Sequence, residues 1–217
     1  MKHSCRFLFL IVLLPYFAYA QKGYKAGFVI NLKGDTSRGL IHYVSLINSP
    51  KMILFKSGPD AKPAQLTTDD ITCFSVYKGD EYRKYTGAIT RDQIDISHEL
   101  TDRDTTVIIA SVFLKVLEKG KNVWFYSYSD DIKTRFFVAD THDFKIVELI
   151  YRIYYDLNQV NYVKGRTVIE NTYMKQLFAL ANKYNALDDA LQRDIENSDY
   201  RQFYLRDIIK KINSVKH

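Results

Sequence analysis

The sequence predicts an α+β protein: an antiparallel β-meander over residues 21–140, followed by three to four helices over residues 141–217. Two observations carry this. Up to Asp140, short runs rich in β-branched and aromatic residues recur between clusters of Gly, Asp and Ser, the pattern of strands joined by tight turns. After Thr141 the apolar residues recur every three or four positions, the period of a helix with one buried face. Strands in one run and helices in another give an α+β chain, or a β domain with a helical neighbour.

Residues 1–20 stand outside that fold. Lys2 and Arg6 precede the apolar run Phe7 to Leu14, and Ala18-Tyr19-Ala20 supplies the small-residue pattern of a cleavage site before Gln21. This is the layout of a secretory signal peptide. Pro15 interrupts the apolar run well short of the ~20 residues that a membrane span needs. Cys5 leaves with the signal, so Cys73 is the one thiol of the mature chain and no intrachain disulfide forms. A core of apolar side chains must hold the fold, which a chain of this size can build.

"FVINL" and "GLIHY" flank Lys33-Gly34-Asp35-Thr36 and predict the first hairpin. Gly34 and Gly39, four residues apart, also match the first half of a phosphate-cradling loop. That loop continues with Lys and then Ser or Thr, whereas Leu40 and Ile41 follow here, so the turn is the reading. "KMILFK" predicts a short strand. The Pro-containing stretch Ser57 to Asp70 reads as loop with room for one edge strand. "ITCFSVY" alternates as a strand and places Cys73 within it. Val107 to Glu118 and Asn122 to Tyr128 form the clearest hairpin, turning at Lys119-Gly120-Lys121. Ser129-Asp130-Asp131 leads on to "IKTRFFVAD".

In "THDFKIVELIYRIYYDL", Ile146, Ile150, Ile153 and Leu157 mark a first helix from about Asp143 to Leu157. The polar connection "NQVNYVKGR" leads to a second, from about Asn171 to Tyr184, with Tyr173, Leu177, Leu180 and Tyr184 on its buried stripe. Leu187 to Glu196 is a short third. Ser198 is placed to cap a fourth that buries Tyr204, Ile208 and Ile212.

The chemistry is sparse. The formal charge of +6 falls by two with the signal and is spread evenly, without the basic stripe of a nucleic-acid binder. No nucleotide loop, zinc-protease or serine-hydrolase motif is present. A thiol enzyme needs a histidine in reach of Cys73, with His42, His98 and His142 as the candidates, but an alternating apolar strand makes Cys73 a small core residue. "RDQIDISHELTDRDTT" gathers Asp92, Asp95, His98, Glu99, Asp102 and Asp104. It lacks the glycine and the spacing of a calcium loop, and Arg91 and Arg103 interrupt the acids, so it reads as a solvated loop. Seventeen Tyr and thirteen Phe make the chain rich in aromatics. Trp124, Tyr126 and Tyr128 share one face of their strand and Phe125 takes the other, a division that packing on helices or an external partner would each use.

The stretches "GFVINLKGDTSRGLIHY", "SPKMILFK", "DDITCFSV", "FLKVLEKGKNVWFYSYSDDIKTRFFV", "IENTYMKQL" and "YRQFYLRDIIKKIN" resemble a family of exported proteins of unknown function common in Bacteroidota. The resemblance covers nearly the whole mature chain. It implies an envelope setting, because longer relatives continue into an outer-membrane β-barrel, and it supplies no catalytic residues.

The expectation is therefore an exported protein, periplasmic, outer-membrane associated or secreted, that acts as a non-catalytic binding or structural module of the cell envelope. Its expected partner is an envelope protein or outer-membrane component, with no nucleic acid, no cofactor and no transmembrane segment after cleavage. No catalytic, cofactor-binding or metal-ligating residue is assigned. The alternatives are an enzyme built on Cys73 or the Asp92 to Asp104 carboxylates, and a small-ligand binder using the aromatic face near Trp124.

Overall fold

The computed structural model describes residues 23–43, 48–94, 102–156 and 166–215, so the expected signal peptide lies outside the described residues. Asn31 shows how local chemistry starts the fold. Its side-chain oxygen accepts from the backbone N–H groups of Lys33 and Asp35, both at 2.9 Å, and Gly34 takes the left-handed φ of +91° that this turn needs. The turn joins β1 (Lys25–Asn31) to β2 (Thr36–His42), with Gly39 inside the second strand.

β3 (Ile53–Lys56), β4 (Ala64–Leu66), β5 (Ile71–Val76), β6 (Glu81–Thr90), β7 (Val107–Lys119), β8 (Val123–Ser129), β9 (Thr134–Asp140) and β10 (Ile146–Leu149) complete a sheet of ten strands. Its order is β10-β9-β8-β7-β6-β5-β1-β2-β3-β4, and every neighbouring pair is antiparallel. Two meanders thus lie side by side, joined where β5 pairs with β1. The sheet curls. Tyr85 of β6 touches Phe137 of β9 with ring centroids 5.3 Å apart although two strands lie between them, a separation of ~14 Å in a flat sheet.

Three helices follow: α1 (Thr172–Lys183), α2 (Asp189–Glu196) and α3 (Gln202–Ser214). They cover one face of the β7–β10 region, where Val123, Phe125, Phe136, Val138 and Leu149 meet Tyr173, Leu177, Leu205 and Ile209. The other face of β8 and β9, with Tyr126 and Phe137, packs under the curl against Ile89 and Leu114. The division of Trp124, Tyr126 and Tyr128 from Phe125 is as the alternation requires. A separate core, including Val29, Ile53, Phe74 and Tyr82, fills the β1–β5 end.

Three expectations are corrected. The expected helix from Asp143 to Leu157 is not formed: Asp143 to Asp156 gives β10 and then β11 (Arg152–Asp156), which among the described residues pairs only with β12 (Arg166–Glu170), and Leu157 lies outside the described residues. Its Ile, Val and Tyr residues are strong strand formers, and pairing with the end of β9 prevails over a helical period that short apolar runs also satisfy. Ser198 does not cap α3, whose N-cap is Arg201; its hydroxyl donates instead to the Ile195 carbonyl at 2.8 Å. Tyr204 is exposed, and Leu205 and Ile209 join Ile208 and Ile212 on the buried stripe. β6 carries no clear strand signature in the sequence, because Arg83, Lys84 and Gly87 break its apolar alternation.

Asp140, at the end of β9, ties α1 to the sheet. It accepts from Lys183 Nζ, from the Tyr184 hydroxyl at 2.6 Å and from the His142 N–H at 2.9 Å. Partial burial alone would raise its carboxyl, but these three donors outweigh that and hold it at about 2. A depressed carboxylate stabilises the fold above its unfolded value and loses that contribution as pH falls through the folded one. Stability is therefore expected to decline between about pH 4 and about pH 2. Asp140→Asn should flatten that part of the curve in urea denaturation at stepped pH, and an unchanged slope would refute the assignment.

A candidate binding edge on strand β7

The length of β7 creates the site. β6 pairs with it over nine registers, from Thr90↔Val107 to Tyr82↔Lys115, while β8 pairs with it only between Lys115 and Lys119. Among the described residues, Val107 to Leu114 therefore have no strand on their second side. This stretch, "VIIASVFL", holds no charge and no proline. Val107, Ile108 and Ile109 are 48%, 42% and 75% exposed. Consecutive strand residues point to opposite faces, so both faces of the strand are apolar there.

At its inner end the open edge meets a groove of about 260 Å³, lined by Ser111 and Phe113 of β7, Tyr128 of β8, and Ser49, Pro50 and Lys51 of the β2–β3 connection. Ser49 marks where β8 stops: its N–H donates to the Ser129 carbonyl at 2.8 Å, and its hydroxyl accepts from the Ser129 N–H at 3.1 Å.

The sheet's terminal edges are managed differently. On β10, the Gln176 side chain from α1 donates to the Glu148 carbonyl at 2.8 Å and accepts from the Ile150 N–H at 2.9 Å, filling the place of a neighbouring strand. β4 is only three residues long. Blocking and shortening are the usual protections against unwanted pairing, and among the described residues β7 shows neither.

The residues singled out in the sequence do not converge. Cys73 lies in β5 at 3% exposure, and burial, with Glu81 adding to it, pushes its thiol up to about 11. Such a thiol is not a nucleophile at neutral pH. The ring of His42 lies against Tyr24 and that of His142 against Tyr184, while Asp95, His98 and Glu99 lie outside the described residues. Trp124 is covered by the chain's own cations, with the Arg83 guanidinium 4.6 Å and Lys119 Nζ 5.0 Å from its ring, and Phe144 meets its edge.

The acidic stretch is not uniformly solvated, which corrects that part of the sequence reading. Asp104 accepts from the Thr106 N–H at 2.7 Å within its own turn, and Arg103 reaches Glu170 of β12 at 2.9 Å. Asp92 instead is buried and pairs with Lys133 Nζ at 2.7 Å. It belongs to a seam of buried charges where the end of β6 crosses β9 and β10. Thr90 donates to Glu148 through its N–H at 3.2 Å and its hydroxyl at 2.6 Å, and the Thr90 carbonyl accepts from Arg135 Nε at 2.8 Å. Arg135 also donates to Asp130 at 2.9 Å. Burial raises Glu148 and lowers Lys133, each shift opposed by these partners. Every charge in the seam faces another part of the protein, which suits a clasp that fixes the β6–β7 ribbon. Among the described residues no group of three His, Cys, Asp or Glu could hold a metal ion, and no helix is long and apolar enough to cross a membrane.

The open edge was half legible in the sequence. Its signal is the mismatch between the long apolar run starting at Val107 and the shorter run that ends at Tyr128, since a hairpin with unequal arms leaves part of one arm unpaired. The chain matches no protein-family model, no curated protein and no solved structure.

Proposed function

We propose that the protein is an exported, non-catalytic binding module of the cell envelope that takes an extended segment of another envelope protein as an added strand along β7. The observation that carries this reading is the uncharged edge from Val107 to Leu114, which no strand pairs on its second side among the described residues, beside two terminal edges that are blocked or short. Main-chain hydrogen bonds supply affinity in strand addition, and alternate side chains supply selectivity. The exposed isoleucines and the groove beside Ser111 are positioned for the second task. The export half of the reading rests on residues 1–20.

A photo-crosslinking residue at Ile109 in the full chain, expressed in its native cell, is expected to capture a defined partner. The same group at the exposed Asp207 of α3 should capture none. Ile109→Lys is expected to abolish capture from a crosslinker at Val107 while changing folding stability by less than ~0.5 kcal/mol, as at most exposed positions. Equal capture from both sites, or capture that survives the lysine, would sink the proposal. Mass spectrometry should find the mature chain starting at Gln21 in the envelope fraction; an intact precursor in the cytosol would remove the export half.

A further inference from the structure

The buried seam contains two facing groups that have no hydrogen-bond partner among the described residues. Asp92 Oδ2 accepts from Lys133, but Asp92 Oδ1 has no hydrogen-bond partner. Arg152 donates through Nη1 to Glu170 at 3.1 Å, while its Nε–H is likewise unpartnered. The two orphans lie 3.8 Å apart, on side chains only 4% and 10% exposed. At that distance they form no hydrogen bond with each other, and each unsatisfied buried group is destabilising.

We infer that this point holds one ordered water molecule, which accepts from Arg152 Nε and donates to Asp92 Oδ1. The donor and acceptor inventory selects the occupant. An anion satisfies Arg152 but offers Asp92 no hydrogen and is repelled by its charge. A metal cation satisfies Asp92 but offers Arg152 no lone pair, and it would sit against Lys133 and Arg152. Water alone of these both accepts and donates, and it bridges groups that are too far apart for direct contact. A buried water commonly makes about three hydrogen bonds, so two fixed partners at this seam are a sound beginning. The site joins the segment after β6 to β11, and it is separate from the β7 edge.

A high-resolution crystal structure of the mature chain tests this directly. The expected result is one well-ordered water within about 3.2 Å of both Asp92 Oδ1 and Arg152 Nε. Direct contact between the two side chains with no water, or an ion identified there by anomalous scattering, overturns the inference. In solution, oxygen-17 relaxation dispersion should report a long-lived water that Arg152→Met abolishes; an undiminished signal from the folded variant also overturns it. The wild-type crystal structure decides the matter if that variant does not fold.

Discussion

Asp92→Ala is expected to destabilise the protein by about 3–5 kcal/mol, the usual cost of removing one partner from a buried ion pair. Lys133 Nζ loses its 2.7 Å contact, and its side chain is only 3% exposed, so water cannot replace the carboxylate without opening the seam. Arg152 loses Asp92, the more distant of its two carboxylate neighbours at 3.8 Å, and keeps Glu170 at 3.1 Å. The magnitude reflects an abandoned charge more than the strength of the pair. It follows that removing both charges should hurt less than removing one: Asp92→Leu with Lys133→Met is expected to recover part of the loss. Urea midpoints for the three chains check both statements. A loss below ~1 kcal/mol for Asp92→Ala would show that the seam is solvated and that the charges are not a clasp.

This seam also shows why the sequence discloses some features and conceals others. Hairpins depend on neighbours in the chain, so Asn31 to Asp35 and Lys119 to Lys121 could be recognised from residue type alone. Partnerships between distant residues have no such signature. Asp92 sits in a stretch of acids and arginines that resembles a surface loop, and only the curl of the sheet brings Lys133 to it, 41 positions away. The segment after Thr141 fails for a different reason. Ile146, Ile150 and Ile153 fit a helical period, but four-residue and five-residue strands can place apolar residues at the same intervals, and the available edge of β9 decides. Where burial is provided by one adjacent layer, as for Leu177 of α1 or Ile208 and Ile212 of α3, the periodicity identifies the inward residues correctly.

The second large effect belongs to the junction of α3 with the β7–β8 turn, where Asn213→Ala is expected to cost about 2–3 kcal/mol, the desolvation penalty of orphaned backbone groups. The Asn213 side chain accepts from the N–H groups of Asn122 and Val123, at 3.0 and 2.9 Å, and donates to the Val123 carbonyl at 2.9 Å. It thereby continues the backbone pairing of β8 past the turn. Asn122 returns a bond to the Ile212 carbonyl at 2.9 Å, so the helix end and the turn hold each other. Gly120 makes this approach possible. A Cβ there would fall inside the Asn213 amide, and its φ is not among the left-handed values, so the requirement is space and not backbone conformation. Gly120→Ala should therefore destabilise by displacing Asn213, losing many of the same bonds. In the Asn213→Ala background the obstruction is gone, and adding Gly120→Ala should cost almost nothing more. A double-mutant cycle read by thermal or urea unfolding is expected to show coupling of at least ~1 kcal/mol between the two positions. Strict additivity would mean that Gly120 serves the turn by itself and that the helix is docked chiefly by its apolar stripe.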